Sequence, residues 1–408
     1  MANVVIIGGG AAGCFCAVEI ARLHPDWSVT VLEAGNRLMA KLAVTGGGRC
    51  NITNTFEGVD SPESVYPRGF RLMKRALARF GWRDCLDWFG RLGIEFTIQD
   101  DHCVFPASQD AMQIVRALEK EMHLRGVKVQ CGCKVESIAA DRTLTVCNVS
   151  AATSRKSTVR PDIVILTSGG GTAEILSGTG ILIEPPVPSL FTLKLSDDGI
   201  RSLMGIVVEN AGLGLAGTRF RSHGTLLLTD WGVSGPATLK LSSYAARHLS
   251  EQGYKGTLLV NWLDRDESCV KEMLDALSIA GGRMIINTHP RELSDRLWRH
   301  LVLRARIRED CRWSELGSKG LSRLISTLTA DTYEITGRAR FKEEFVTCGG
   351  VSLGEVNPNT LEARKVPGLY FAGEVLDIDA ITGGFNLQAA WSTAYMVAKG
   401  LSCKLSAV

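Results

Sequence analysis

Val4-Val5-Ile6-Ile7-Gly8-Gly9-Gly10-Ala11-Ala12-Gly13 stands near the start of the chain, and its reading decides the fold class. Four β-branched residues in a row predict a strand buried on both faces of a parallel sheet. They run straight into G-x-G-x-x-G, and Cys14 to Leu23 continues with helical periodicity. A second strand-like run, Ser28 to Leu32, ends in Glu33, 20 residues after Gly13. In such a unit the glycines permit the turn, let backbone N–H groups approach a pyrophosphate, and let the helix pack close to the strand. The terminal acid is placed to accept from ribose hydroxyls. The glycine triplet alone is weak evidence, but strand, glycines, helix, strand and acid in register predict dinucleotide binding.

The same spacing recurs at Gly212-Leu-Gly214-Leu-Ala-Gly217, after the strand-like Ile206-Val207-Val208. Only Thr218 to His223 separates it from the next strand-like run, Leu226 to Leu228. No helix fits there to hold a phosphate, so this copy reads as a hairpin loop.

The chain has 408 residues, 45% hydrophobic and 22% charged, with a formal net charge of +3. That balance excludes a disordered or fibrous chain and a polycation overall. Its 12 cysteines include no CxxC pair and its 7 histidines no metal-ligand spacing, so no zinc ribbon, thioredoxin-like pair or metal centre is expected. The apolar stretch Val4 to Ala21 lacks a basic start, carries Glu19 and is cut by four glycines. It reads as neither signal peptide nor membrane span, and a cytoplasmic protein is expected.

Three further segments choose between FAD and NAD. Lys41 to Asn54 contains Gly46-Gly47-Gly48-Arg49-Cys50-Asn51, a permissive backbone suited to wrapping a flat polar ring. Gly368-Leu-Tyr-Phe-Ala-Gly-Glu374 reads as a strand ending in an acid, followed by Thr382-Gly-Gly-Phe-Asn-Leu-Gln-Ala-Ala-Trp391. The acid suits a ribityl hydroxyl, and the glycines before a helix aim free N–H groups at an electron-rich ring edge. Asp162 to Gly170 supplies another strand with a glycine turn, Ser168-Gly-Gly-Gly171. NAD has no ribityl chain, and a distant return strand is what FAD requires. The cofactor expected is non-covalent FAD.

On these residues the chain resembles the bacterial BaiN/YhiN-like NAD(P)/FAD-dependent oxidoreductases, two-dinucleotide-fold flavoproteins. The resemblance runs nearly end to end through Thr45 to Asn54, Val233-Ser-Gly-Pro236, Cys348-Gly-Gly-Val351 and Leu369 to Trp391. It implies an α/β fold: a discontinuous Rossmann-like FAD domain with an inserted β-barrel domain and a small helical insert. The implied bounds are 1–187 for the first part of the FAD domain, 188–262 for the first part of the barrel and 263–330 for the helical insert. The barrel returns over 331–345 and the FAD domain over 346–408. The expected cofactor residues are Gly8, Gly10, Ala11, Ala12 and Gly13; Glu33 and Ala34; Lys41; Gly47, Gly48, Arg49, Cys50 and Asn51. To these are added Val135; Ser168, Gly169 and Gly170; Gly373 and Glu374; and Gly384, Phe385, Asn386 and Leu387. The chain departs from the family in a shortened 171–186 region and in Ala380 and Ile381, where Gly and a polar residue are more usual.

Cys50 stands alone, so a flavin disulfide reductase is excluded. It reads as a filler, a nearby acid or a charge-transfer partner. No catalytic side chain is assigned. The family's chemistry implies that NAD(P)H, as a transient co-substrate, reduces the flavin and that an activated C=C is then reduced. A steroid-like enone or uridine in ribosomal RNA is the implied substrate. Arg283 to Arg323 carries nine Arg and one Lys against five acids, interleaved with Trp298 and Trp313. Such a segment reads either as a solvated helical face or as a surface for structured RNA, with tryptophans stacking on bases. A rival reading is an RNA-binding or assembly factor that keeps FAD as a structural cofactor.

Overall fold

The computed structural model describes residues 1–148, 155–170, 174–279, 281–339 and 346–405. Gly171 of the expected glycine turn and positions 340–345 of the expected barrel return lie outside the described residues. The chain divides into two compact units, Met1–Val187 with Val346–Val408, and Pro188–Phe345.

The first unit is built on a five-stranded parallel sheet. Its order is Leu369–Phe371, Ile163–Leu166, Asn3–Ile7, Ser28–Glu33, Lys128–Cys131. The register sets Ile6 against Val31 on one side and against Ile165 on the other. From Val4 to Leu166 the inward residues of the three central strands are buried, as unbroken apolar runs require. The chain builds outward from Asn3–Ile7 through two strands and then returns to its other side. The opening strand is therefore the topological switch point, where such sheets bind ligands at their carboxyl ends.

The helix Ala11–Leu23 is buried from Ala12 through Ala21. Phe15 explains why: its ring centre lies 4.6 Å from Trp88, 5.4 Å from Phe80 and 5.6 Å from Trp391. Trp391 belongs to the C-terminal helix Phe385–Leu405, which packs along the first helix. A helix apolar all round is one covered on every side.

The second unit holds a closed barrel of Leu193–Leu195, Gly232–Ser234, Arg221–Thr229, Val207–Leu215, Gly256–Asn261 and Asp331–Arg338. Three helices, Glu267–Ser278, Asp295–Arg304 and Gly317–Ala330, share one apolar core with it, including Trp262, Trp298 and Tyr333. The repeated glycine pattern is indeed in a hairpin: Val207–Leu215 pairs antiparallel with Arg221–Thr229. Gly212 and Gly214 lie in the strand rather than the loop, and a Cβ on Gly214 would meet the Arg221 side chain at 2.7 Å. Ser189 to Leu195 reads as one strand in the sequence, but Leu190 sits at φ 57 and breaks it. Likewise the helical periodicity of Leu293 to Ile307 outlasts the helix itself, which spans Asp295–Arg304, and Arg306 beyond it takes φ 57.

Candidate cofactor site

Four loops gather at the carboxyl edge of the parallel sheet, one from each of the strands ending at Ile7, Glu33, Leu166 and Phe371. Gly8 leaves the first strand at φ 106, with its N–H on Leu32 O at 2.8 Å. Thr167 at the end of the neighbouring strand locks it: its hydroxyl lies 3.0 Å from Ile7 O and 2.8 Å from Gly8 O. A Cβ on Gly13 would sit 2.0 Å from Gly8 O, so the third glycine is what lets the helix reach the strand. Around Gly10 a Cβ would meet nothing within 4 Å. Gly10 caps the Ala11–Leu23 helix with no side chain closing it. The first N–H groups of that helix, from Ala11 through Gly13, are therefore open to an anion.

Glu33 stands beside this turn. Its carboxylate accepts from Gly9 N at 2.7 Å and from Gly35 N at 2.6 Å, which fixes the side chain over the glycines. Gly35 O accepts from Gly132 N at 2.8 Å, so the loop holding exposed Ala34 is tied to the start of the strand Cys133–Ile138. Val135 is buried in that strand, opposite Val146.

Glu374 marks the other end. Thr347 N donates to its Oε1 at 2.7 Å, Lys41 Nζ lies 3.8 Å from Oε2, and a Cβ on Gly169 would stand 3.4 Å from that oxygen. Gly373, at φ 78, passes so near the first helix that a Cβ would be 2.9 Å from the Ala12 methyl. Ser168 is exposed and Gly170 faces Thr347 closely. The strand ends that begin and finish the chain thus meet across the helix cap.

The loop Thr45 to Asn51 winds left-handed, with φ 57 at Gly46, 69 at Gly47, 84 at Gly48 and 62 at Cys50. Nothing would obstruct a Cβ at Gly47 or Gly48, so their backbone faces open space. Arg49 lies over the Phe105 ring at 4.3 Å and donates to Gly46 O at 3.2 Å. Asn51 donates to Thr53 O at 2.9 Å and accepts from Gly384 N at 3.2 Å. Gly384, at φ 87, leaves no room for a side chain: a Cβ would be 2.4 Å from Thr53 O. Phe385 is buried, Leu387 half-buried, and the Asn386 amide spans Ala380, accepting from its N at 2.9 Å and donating to its O at 3.0 Å. Asn386 is thereby engaged in shaping the loop.

Cys50 is fully buried, and burial pushes its thiol up to about 12 against a smaller opposing effect from the Thr45 hydrogen bond. A thiol so raised favours the neutral form at physiological pH, which speaks against the charge-transfer reading, since that needs a thiolate. Among the described residues no group of three His, Cys, Asp or Glu side chains is arranged to hold a metal ion.

The donor set fits FAD. Two carboxylates stand at opposite ends of a cradle whose middle is unobstructed glycine and an uncapped helix. Thr167, Thr347 and Thr53 were not singled out in the sequence. Thr167 acts through its hydroxyl, Thr347 through its backbone N–H and Thr53 through its backbone carbonyl, and such contacts give no local pattern.

The Arg-rich segment differs from its sequence reading. Trp298 and Trp313 are buried in the core of the second unit, so neither can stack on a base. Arg304 bonds Asp331 Oδ1 at 2.6 Å, Asp197 Oδ2 at 2.8 Å and Thr332 O at 2.5 Å, over the Tyr333 ring at 4.2 Å. Arg299 is paired with Glu309 at 2.8 Å, and Arg323 donates to Ala305 O at 2.9 Å. Arg283, Arg291, Arg306 and Arg308 are exposed.

The HI0933-like protein Rossmann domain family matches residues 2–400. A 3-dehydro-bile acid delta(4,6)-reductase of Clostridium scindens is 30% identical over 423 residues, 98% of each chain. A ribosomal RNA dihydrouridine synthase of Escherichia coli is 31% identical over 415 residues, again 98% of each. Among solved structures, a quinol-fumarate reductase with menaquinol superposes with a TM-score of 0.50 at 14% identity, covering 100% of this chain and 72% of that one. That last likeness concerns the fold alone. No helix among the described residues is long and apolar enough to cross a membrane.

Proposed function

The chain belongs to the HI0933-like family, and on that footing we propose that it is an FAD-dependent oxidoreductase that saturates an activated carbon–carbon double bond at the expense of NADH or NADPH. One observation carries the reading: four strand-end loops converge on a glycine cradle with Glu33 at one end and Glu374 at the other. The names of the two relatives described above denote saturation of ring double bonds.

Bound FAD supplies the two-electron hydride chemistry that no side chain can perform. The protein's part is to hold and orient. Gly8 to Gly13 and the cap of the first helix would take the pyrophosphate, Glu33 the adenosine ribose, and Glu374 with Lys41 the ribityl chain. Val135 would border the adenine. Gly47 to Asn51 and the amino end of the C-terminal helix would hold the ring. The exposed Arg283, Arg291 and Arg306 favour a uracil ring in structured RNA as the substrate over a free enone.

The test is anaerobic mixing of the FAD-loaded protein with NADH or NADPH. The expected outcome is bleaching of the flavin band, followed by reoxidation when the acceptor is added. Oxidised flavin that persists under both nucleotides sinks the reductase reading.

A further inference from the structure

Arg68 and Asp379 lie 311 residues apart in sequence and meet inside the first unit. Asp379 is fully buried and the Arg68 side chain is 12% exposed. Arg68 Nε donates to Asp379 Oδ1 at 2.5 Å while Nη2 donates to Oδ2, a two-pronged fork. Their backbones pair as an antiparallel bridge. The fastening continues on either side: Ile381 N donates to Val65 O at 3.0 Å, and the Tyr66 hydroxyl donates to Phe385 O at 2.9 Å. Gly69, at φ 76, allows the close pass, since a Cβ there would lie 2.6 Å from Ile378 Cγ1. Val65 to Gly69 therefore straps down the stretch from Ile378 to Phe385, which feeds the C-terminal helix.

A buried ion pair is a poor way to gain stability. Desolvation offsets most of the attraction, and well-packed apolar residues of similar size serve as well or better. What a planar fork supplies is a unique geometry. Here that geometry fixes the direction in which Gly383, Gly384 and the first turn of Phe385–Leu405 point. The first N–H groups of a helix lack intrahelical partners and carry the positive end of its dipole, whose influence fades within one turn. Small displacements of that turn change its effect on a group beside it.

We propose that Arg68 and Asp379 are positioning residues that hold the amino end of the C-terminal helix against the redox ring and so raise the ring's affinity for electrons. The proposal rests on the flavin reading. Its test is the Arg68→Met/Asp379→Leu double variant of the full chain, which removes both charges and leaves neither partner stranded. Flavin occupancy, thermal unfolding and the midpoint potential against a reference dye are measured together. Expected are parent-like occupancy and a reduction equilibrium about tenfold less favourable, about 30 mV for a two-electron couple. Arg68→Lys, which keeps the charge without the fork, falls between. An unchanged potential in the flavin-loaded double variant overturns the proposal, even if unfolding temperature drops. Should the double variant not fold, Arg68→Lys decides: a lowered potential supports the pair's role and a parental one overturns it. A parent protein that binds no FAD defeats the flavin reading and the proposal with it, before any variant is made.

Discussion

Gly10 and Gly13 belong to one motif, yet the space around them differs, and the difference separates cofactor binding from folding. A Cβ at Gly13 collides with Gly8 O at 2.0 Å, a backbone atom that cannot swing away. Gly13→Ala is expected to destabilise by several kcal/mol, as overpacking against backbone does. Gly10 has φ −82 and ψ −169, ordinary extended backbone, with open space at its Cβ. Gly10→Ala should leave the apoprotein's denaturation midpoint unchanged while weakening FAD about tenfold or more, because the methyl occupies pyrophosphate space. Fluorescence titration and denaturant unfolding on the same samples check both halves. Cys50 makes a different prediction. Its thiol is raised from 9.0 to about 12, so between those values the unfolded chain has lost a proton that the folded chain keeps. Its contribution to stability is complete below pH 9 and is lost as pH rises towards about 12. Cys50→Ala should flatten the alkaline fall in the unfolding midpoint, and no long-wavelength flavin band should appear between pH 6 and 9 in the parent. The glycine motif and Glu33 were legible because their chemistry is written in consecutive residues. Arg68 and Asp379 were not, because a fork between residues 311 apart exists only once the sheet has brought them together.

Among the elements, the opening sheet strands are legible because a doubly covered strand needs an unbroken apolar run and Val4 to Ile7 is one, whereas the edge strand Lys128–Cys131 carries Lys128 and Gln130 and offers no such run. Leu190 breaks a strand by taking positive φ, and Arg306 takes positive φ beyond the end of a helix, which no side-chain pattern announces. The tryptophans of the helical insert were read as available to bases, but helical periodicity cannot tell an inward face from an outward one when both carry arginine. Arg304 illustrates the consequence. It joins the end of Asp295–Arg304 to Asp197 and to the strand Asp331–Arg338, with its side chain 26% exposed and that of Asp331 6% exposed. Arg304→Ala strands one nearly buried carboxylate and unties helix from barrel. A loss of about 3 kcal/mol is expected, at the low end for broken buried pairs because the cation is partly solvated. Chemical denaturation read at Trp262 and Trp298, both in this core, reports it. A loss below about 0.5 kcal/mol would make the network a surface ornament.

At the scale of the whole molecule, charge is distributed against its average. The net charge is +3, while Arg283 to Arg323 carries five more cations than anions. With Arg304, Arg299 and Arg323 engaged within the second unit and Arg308 paired with Asp310 at 3.1 Å, the cations left to act outward include Arg283, Arg291 and Arg306. A small neutral enone gains nothing from them. A phosphate backbone is drawn to them by counterion release, and log affinity then falls with log salt by about 0.7 per phosphate contacted on a single strand. The prediction is therefore one of slope. The parent should retain a ribosomal RNA fragment at low salt. Arg291→Glu/Arg306→Glu should lower the salt slope by about 1.4, the share of two contacts, and weaken binding without regard to RNA sequence. Neither residue belongs to the unit that carries the cofactor cradle, so bleaching of the flavin by NADH or NADPH should continue at the parental rate. Filter binding across a salt series, run beside anaerobic stopped-flow reduction, separates the two effects. RNA binding that is absent from the parent, or that keeps its slope in the double variant, makes the insert's arginines a solvated face and leaves a small conjugated enone as the substrate.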